Sequence, residues 1–449
     1  MSLGDYVSEP ARRIPIVAEA DVVVLGGGPS GIAAATAAAR VGARTILLER
    51  YGFLGGMGTA ATVTSFCGLH ASVHGEIQQV VHGIADDILD RIGKLGGLGP
   101  VRSVLGRTAA QAYDNAAYKC AADDLTLGAG VHVRFHTLAT GALVEGGRIT
   151  ALIIETKSGR GAVRAKAFID CSGDADLAAW VGAPYELGGD DGFLAYPTLM
   201  FRMGNVDGKV ALEEGKPRLR ELMALAEARG EYRFPRWSAY INPQPHEGEW
   251  RANVTQVSRD GRPIDATNAD DFSYAEIEGR RQVLLYFDFL KKYVPGFSKA
   301  YLLEIAPQVG VRETRRIVGA YQLTGDDVLR CADFDDAIGV NGWPVEIHRL
   351  GDVEWRWLGG RGYCHIPFRA LVPRGVDNLL VAGRCASATQ DGQASLRVSG
   401  PCFAMGQAAG TASALAVAGG VASSAVDMGQ LRERLLADGA FLGPLTASR

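Results

Sequence analysis

Residues 21–31 constrain the fold more than any other part of this chain. Asp21-Val22-Val23-Val24-Leu25 is a β-branched apolar run that ends abruptly in Gly26-Gly27-Gly28-Pro29-Ser30-Gly31. A short run with no polar alternation fits a parallel strand buried on both faces. Residues 32–40 are mostly alanine and read as a helix able to approach its neighbours closely. Gly42 ends that helix, and 44–48 is a second apolar strand closing on Glu49. Strand, glycine turn, helix and strand make a βαβ unit of about 30 residues, the minimum for a crossover. In that context each glycine of the G-x-G-x-x-G pattern has a task. Gly26 permits the tight turn, Gly28 lets backbone N–H groups approach a pyrophosphate, and Gly31 lets the helix sit against the strand. Pro29 and Ser30 open the helix, whose N-terminus offers unpaired donors and a partial positive charge to phosphates. Glu49, with Arg50 beside it, ends the second strand where an acidic side chain accepts hydrogen bonds from a ribose diol. The plain alternative, a glycine turn without a ligand, does not explain Glu49.

Glycine is abundant elsewhere too: 58 of 449 residues, against roughly 7% on average. The glycines lack a period of three and proline numbers only 18, so the chain is not collagen-like. A hydrophobic content of 47% with a net charge of −4 argues against disorder and leaves no electrostatic footprint for nucleic acid. The length has room for a large core, and for one domain carrying a large insertion. The cysteines (Cys67, Cys120, Cys171, Cys331, Cys364, Cys385, Cys402) include no C-x-x-C pair. They suit reduced, mostly structural thiols in a cytoplasmic protein. Residues 1–15 are polar and carry no apolar signal core. The uncharged runs 22–39 and 408–426 approach membrane-span length, but Ala, Gly, Ser and Thr dominate them, so both are expected as buried elements and no membrane span is expected. No metal-ligand spacing stands out.

Further along, the pattern predicts helices over 76–93 and 108–127. Strands follow at 131–135, 139–144 and 149–156, the last two joined by a Gly146-Gly147 hairpin. Another apolar strand, 165–170, runs into Cys171-Ser172-Gly173-Asp174 and a helix ending at Val181. After Gly188 the composition shifts: every tryptophan except Trp180 lies between there and Tyr363 (Trp237, Trp250, Trp343, Trp355, Trp357), with many arginines. An apolar strand is expected at 302–311, another at 378–382, and a long Ala/Gly-rich helix at 401–418. Within that helix, Gly406 and Gly410 are expected to allow tight packing against a sheet. The expected organisation is a nucleotide-binding domain in two parts, 18–188 and 365–420, interrupted by a substrate domain at 189–364 and followed by a C-terminal helix and tail at 421–449.

The glycine fingerprint alone does not separate NAD from FAD. A second glycine turn, Leu54-Gly55-Gly56, follows Glu49 closely. The chain also returns late, at Asn378-Leu379-Leu380-Val381-Ala382-Gly383-Arg384-Cys385 and Gly406-Gln407-Ala408-Ala409-Gly410. A distant segment rejoining the nucleotide fold suits a long two-headed cofactor. These blocks, with Phe168–Asp174 and Val311-Arg312-Glu313-Thr314-Arg315-Arg316, resemble the FAD-dependent oxidoreductase family of the glutathione-reductase-type flavoprotein superfamily. The resemblance spreads over nearly the whole chain, loosely in the middle. It implies that Gly26, Gly28 and Gly31 hold the pyrophosphate and that Glu49 binds the adenosine ribose. It further implies that backbone around Leu138 meets the adenine, and that Gly173, Gly383 and Arg384 approach the ribityl chain and pyrophosphate. The late helix then points its N-terminus at the flavin, and Ser399-Gly400-Pro401-Cys402 reads as its start.

Departures from better-known relatives narrow the chemistry. There is no redox cysteine pair and no second nucleotide fingerprint, since Gly96-Gly97-Leu98-Gly99 follows a predicted helix. Arg384 follows Gly383 where aromatic hydroxylases carry an aspartate. Arg312 is a candidate for holding a substrate acid, although an exposed or internally paired strand face is the plainer reading of Arg312, Arg315 and Arg316, with Glu313 and Glu304 close by. His348, His365 and Tyr363 flank the return to the nucleotide domain and are candidate acid–base groups. Cys67 and Cys385 are thiols near cofactor loops, with small buried hydrophobes as the plain reading. Trp343, Trp355 and Trp357 could line a cavity for an apolar or aromatic substrate.

The expected fold class is α/β: a Rossmann-like FAD-binding domain with a parallel sheet and a three-stranded β-meander, plus an inserted α+β substrate domain. The expected function is FAD-dependent dehydrogenation or oxidation of a small organic molecule by hydride transfer at flavin N5. An NAD(P)H- and O2-dependent monooxygenase, a non-catalytic dinucleotide-binding protein and an NAD-using relative that builds a thiazole-like product are the alternatives. The electron acceptor stays open between O2, a quinone and a redox protein, as does homo-oligomerisation.

Overall fold

The computed structural model describes Val7 and residues 9–444. Part of the 1–15 stretch read as lacking a signal core, and the end of the 421–449 tail, lie outside the described residues. The strand Ile16–Leu25 pairs in parallel with Thr45–Leu48 on one side and with Gly159–Asp170 on the other. His132–Arg134 extends the sheet beyond Thr45–Leu48, and Leu379–Val381 pairs in parallel with the end of Gly159–Asp170. These parallel strands are short, apolar and buried on both faces: Val22, Val23, Val24, Leu47, Leu48, Phe168, Ile169 and Leu380 are inaccessible to solvent.

The strand Gly159–Asp170 has a second role. Its first half pairs antiparallel with Arg148–Thr156, which in turn pairs with Leu138–Glu145. This is the three-stranded meander, and it completes a seven-stranded mixed sheet. Gly146 and Gly147 turn the hairpin with φ of 56° and 75°, a left-handed pair that L side chains adopt at a cost.

Helix Pro29–Arg40 follows the glycine turn, and Gly31 explains how. A Cβ at that position would lie 1.7 Å from the Gly26 carbonyl oxygen. The long helix Ser399–Gly419 lies along it. The expectation that Gly406 and Gly410 pack on a sheet needs correction: they meet helix backbone. A Cβ at Gly406 would sit 2.1 Å from the Ser30 carbonyl oxygen, and one at Gly410 2.1 Å from that of Ala34. Helix Ser399–Gly419 is long and apolar enough to cross a membrane by length and composition, but 72% of that window is buried inside the fold.

A separate hydrophobic cluster spans 199–309. Its four-stranded antiparallel sheet runs in the order Tyr240–Pro243, Trp250–Asn253, Phe201–Gly204, Tyr301–Ile305, with the buried face of helix Ala269–Tyr293 supplying Tyr286 and Phe289. Val340, Val345, Ile347, Cys364 and Ile366 belong instead to the cluster built around helix Ser399–Gly419, with Phe403 and Met405.

Three predicted elements differ. Residues 306–311 leave the sheet after Ile305. The helix expected at 76–93 is a strand, Glu76–Gln79, and then a helix, Ile84–Lys94, separated by Gly83 at φ 73°. The helix expected at 108–127 begins only at Asn115, where the Asp114 side chain caps it. Thr108–Tyr113 is a strand paired with Ser65–Val73 and Leu98–Val104, so cross-strand pairing overrides the helical preference of Ala109, Ala110 and Ala112.

The close helix pair makes a prediction. Gly410→Val forces a side chain into the Ala34 backbone, and thermal unfolding should show a loss of about 1–3 kcal/mol. Gly128→Ala, where a Cβ meets nothing within 4 Å, should leave the midpoint unchanged or slightly higher.

Candidate active site

A cleft of about 390 Å³ runs from the glycine turn across to the four-stranded antiparallel sheet. At one end it is lined by Gly26, Gly28, Pro29, Ser30, Glu49 and Arg50. Glu49 is buried, and its carboxylate already holds the turn in shape: Oε2 accepts from the Gly27 N–H at 2.6 Å and Oε1 from the Tyr51 N–H at 2.9 Å. Burial raises its carboxyl above the usual range, against the pull of those two donors. Each oxygen keeps a lone pair for a diol. Gly28 and Gly56 face each other backbone to backbone, so a Cβ on Gly56 would lie 2.7 Å from the Gly28 Cα. Thr137, Leu138 and Ala139 form the adjoining wall. Bare backbone and open helix donors beside a diol acceptor form the cradle an ADP-ribosyl moiety requires.

Gly31, Gly55 and Gly383 do not line the cleft. Gly31 secures the helix on the strand as described; Gly55, at φ +109°, packs on Thr59, and Gly383, at φ +101°, packs on the Ser30 hydroxyl. Arg384 and Gly173 do line it, and they touch each other. Arg384 Nε donates to the Gly173 carbonyl at 2.8 Å, Nη2 to Asp174 Oδ1 at 2.6 Å and Nη1 to the Val311 carbonyl at 2.5 Å. One guanidinium thereby ties the loop after strand Gly159–Asp170 to the backbone at Val311. The helix Ser399–Gly419 begins at the cleft without a side-chain cap, and Val398, Ser399 and Cys402 line the wall. The Ser399 hydroxyl exchanges hydrogen bonds with the Cys67 backbone. Cys67 also lines the cleft, and burial pushes its thiol up to about 12, leaving it protonated at neutral pH.

The far end of the cleft is ionic and aromatic. In the strand Val345–His348, the two-residue period puts Glu346 and His348 on one face. His348 Nε2 lies 3.0 Å from Glu346 Oε1, Trp343 Nε1 donates to Glu346 Oε2 at 3.0 Å, and Arg397 lies 3.6 Å from the same oxygen. Burial alone would raise the Glu346 carboxyl, but the hydrogen bonds from His348 and Trp343 and the nearby Arg397 guanidinium hold it below the usual range. Burial, aided by the nearby Arg312 guanidinium, pushes His348 well below the usual imidazole range despite Glu346. A neutral imidazole beside an ionised carboxylate must carry its proton on Nε2, which leaves Nδ1 as the acceptor. Arg312 lines the cleft and donates to the Tyr196 carbonyl at 2.6 Å and to Asn253 Oδ1 at 3.3 Å.

The other candidates lie elsewhere. Arg315 pairs with Asp176 at 2.5 Å, and Arg316 with buried Glu313 at 2.6 Å. Tyr363 and His365 sit outside the cleft lining: Tyr363 packs on Phe441 with Arg361 over its ring, and His365 Nδ1 accepts from the Phe334 N–H. Period 2 explains this, since His365 and Cys364 belong to a strand, Cys364–Pro367, whose faces are both covered. Cys385 is buried away from the cleft wall. Sequence reasoning missed Tyr240, Arg251, Asn253, Glu346 and Arg397, all of which line the cleft. The one available signal was Glu346-x-His348, an alternation that places both side chains on one face. Among the described residues, no group of three or more His, Cys, Asp or Glu is arranged to hold a metal ion.

No protein of curated function matches the chain. Among solved structures it is similar to a geranylgeranyl bacteriochlorophyll reductase-like protein from Thermoplasma acidophilum, with 16% identity and a TM-score of 0.48 over 94% of this chain and 84% of that one. It is similar to p-nitrophenol 4-monooxygenase PnpA from Pseudomonas putida DLL-E4 at 14% identity and a TM-score of 0.45, over 94% of this chain and 84% of that one. It is also similar to the myxobacterial chondrochloren halogenase CndH at 15% identity and a TM-score of 0.46, over 93% and 78%. A family model described as FAD dependent oxidoreductase matches residues 21–435. With a match over almost its whole length, the chain belongs to the FAD-dependent oxidoreductase family and is an FAD enzyme.

Proposed function

We propose that this enzyme is a dehydrogenase or oxidase in which hydride passes between a small organic substrate and flavin N5. The observation that carries the reading is the continuity of the cleft from the Glu49 turn to the Glu346–His348 pair. Bound FAD supplies the hydride chemistry at N5; the chain supplies position, charge and a proton acceptor. Glu49 and the glycine backbone hold the adenosine and pyrophosphate end. The uncapped start of helix Ser399–Gly419 favours negative charge near it, because its first N–H groups carry the positive end of the helix dipole. Glu346 fixes the His348 tautomer and orients the ring, so Nδ1 takes a substrate proton as hydride leaves. Trp343, Trp355 and Tyr240 cover the substrate and exclude water.

Membership of the glutathione-reductase-type superfamily is part of the same proposal, supported by the strand order and the meander inserted before the last parallel strand. So is the division into a cofactor domain (18–188 and 365–420) and an inserted substrate domain (189–364). What supports the division is the separate core within 199–309.

Purified protein should carry FAD that heat releases, and a colourless protein would overturn the reading. Glu49→Ala should weaken FAD retention on the order of 10-fold, the worth of a lost charge-assisted hydrogen bond. Occupancy equal to wild type would remove Glu49 from the ribose role. Reoxidation of the reduced flavin in air, compared with a quinone, separates oxidase from dehydrogenase. NAD(P)H-driven insertion of oxygen into the substrate would replace this reading with the monooxygenase one.

The His348 environment sets a pH prediction. Its folded value is depressed, so the imidazole stays neutral as pH falls through about 6.5, where a free histidine titrates. Histidine ring NMR, assigned with His348→Gln, should show no titration of His348 between about pH 6 and 8. A midpoint near 6.5 would show that burial does not keep the ring neutral.

A further inference from the structure

Other buried or largely buried arginines in this fold come with carboxylates. Arg316 has Glu313 at 2.6 Å and Arg384 has Asp174 at 2.6 Å. Arg202 has Glu304 at 3.2 Å and also meets Glu249. The substrate end of the cleft breaks that pattern. Arg251 and Arg312, which line it, and Arg236, which shares Asn253 with Arg312, are all more than nine-tenths buried, and none has a carboxylate within ion-pairing distance among the described residues.

Their partners are neutral. Arg236 Nη1 and Arg312 Nη2 converge on one amide oxygen, Asn253 Oδ1, at 2.9 and 3.3 Å. Arg251 Nη1 donates to the Val63 carbonyl at 2.6 Å. Arg251 Nε and Arg236 Nη2 are buried without any partner. The one carboxylate nearby, Glu346, is already shared by His348, Trp343 and Arg397. Arg251 and Asn253 lie two residues apart in the strand Trp250–Asn253 and line the cleft together, as do Arg312 and Arg397.

An unpaired buried guanidinium costs several kcal/mol, and two that share a single neutral acceptor repel each other as well. That cost is offset when an anion enters, and a planar guanidinium meets a planar carboxylate in two parallel hydrogen bonds. The same end is lined by aromatic rings that meet a flat ring by stacking or edge contact: Trp343 and Trp355 lie edge to face at 6.1 Å, and Tyr240 joins them. We propose that the substrate is an organic carboxylate with a flat, apolar body. In this assignment Arg312 and Arg251 receive the carboxylate, and the Trp343–Trp355–Tyr240 wall receives the body. The assignment rests on the reading of this cleft as the substrate site of an FAD enzyme.

The test is titration of the FAD-loaded protein with phenylacetate, phenylacetamide, 2-phenylethylamine and phenyl phosphate, read by flavin absorbance and calorimetry. Phenylacetate should bind at least about 10-fold more tightly than the amide, and the amine not at all. Arg312→Gln and Arg251→Gln should abolish that preference while keeping the flavin. Equal binding of acid and amide, or no binding of the acid up to about 10 mM, overturns the assignment. Tighter binding of phenyl phosphate overturns the carboxylate head. Loss of flavin rather than of acid preference in folded Arg312→Gln and Arg251→Gln proteins overturns it too, because those arginines would then serve the cofactor. The wild-type comparison decides even where a variant fails to fold. A colourless wild-type protein sinks the functional reading and this proposal with it, whereas a yellow protein indifferent to ligand charge sinks this proposal alone.

Discussion

Two helix backbones in direct contact organise this molecule. Gly406 and Gly410 admit the carbonyl oxygens of Ser30 and Ala34 where any larger residue would clash. That approach fixes the helix Ser399–Gly419 on the helix that the glycine turn opens, although the two are separated by most of the sequence. Its start therefore falls beside Cys67 and the cleft, and Gly383 lies against Ser30. The same glycine economy recurs within the turn itself, where Gly31 sits on Gly26. Backbone contact without side chains is rigid because nothing in it can change rotamer.

Charge is arranged with equal order. At the cofactor end, buried charges are satisfied within the chain: Glu49 by two backbone donors, Arg384 by Asp174 and two carbonyls, Asp170 by Ser172 and Ala178. At the other end the guanidiniums outnumber Glu346, and the protein pays desolvation without an internal return. A pre-organised cofactor cradle asks little of its ligand beyond shape. An uncompensated cationic wall asks for a particular charge.

This difference also explains what was legible in the sequence. The glycine turn, Glu49, the meander hairpin and the late return could be read because each depends on local backbone demands that only certain residues meet. Gly26 through Gly31 carry their meaning in consecutive positions. The far end of the cleft is assembled from Arg251 in the four-stranded sheet, Arg312 beyond it, Glu346 and His348 in a later strand, and Arg397 just before the long helix, with Arg236 reaching Asn253 from the loop before the sheet. No spacing links them. Tyr363 and His365 were as plausible in sequence as His348, but strand pairing at Cys364–Pro367 buries His365, and Phe441 and Arg361 cover Tyr363. The elements misjudged in outline, 76–93 and 108–127, fail for a related reason: alanine and isoleucine content reads as helix until sheet partners distant in sequence claim the residues.

The two ends are therefore under different constraints. Changes in the turn or in the helix contact meet backbone atoms, so they disturb the fold and the cofactor cradle together. Changes among Tyr240, Trp343, Trp355 and the arginines replace side chains around an open volume, leaving the backbone that holds FAD in place. A chain of this design can keep one cofactor while the side chains at the far end of its cleft are altered. In this protein the buried positive charge at that end comes from Arg251 in the sheet and from Arg236 and Arg312 outside it, the latter two converging on Asn253.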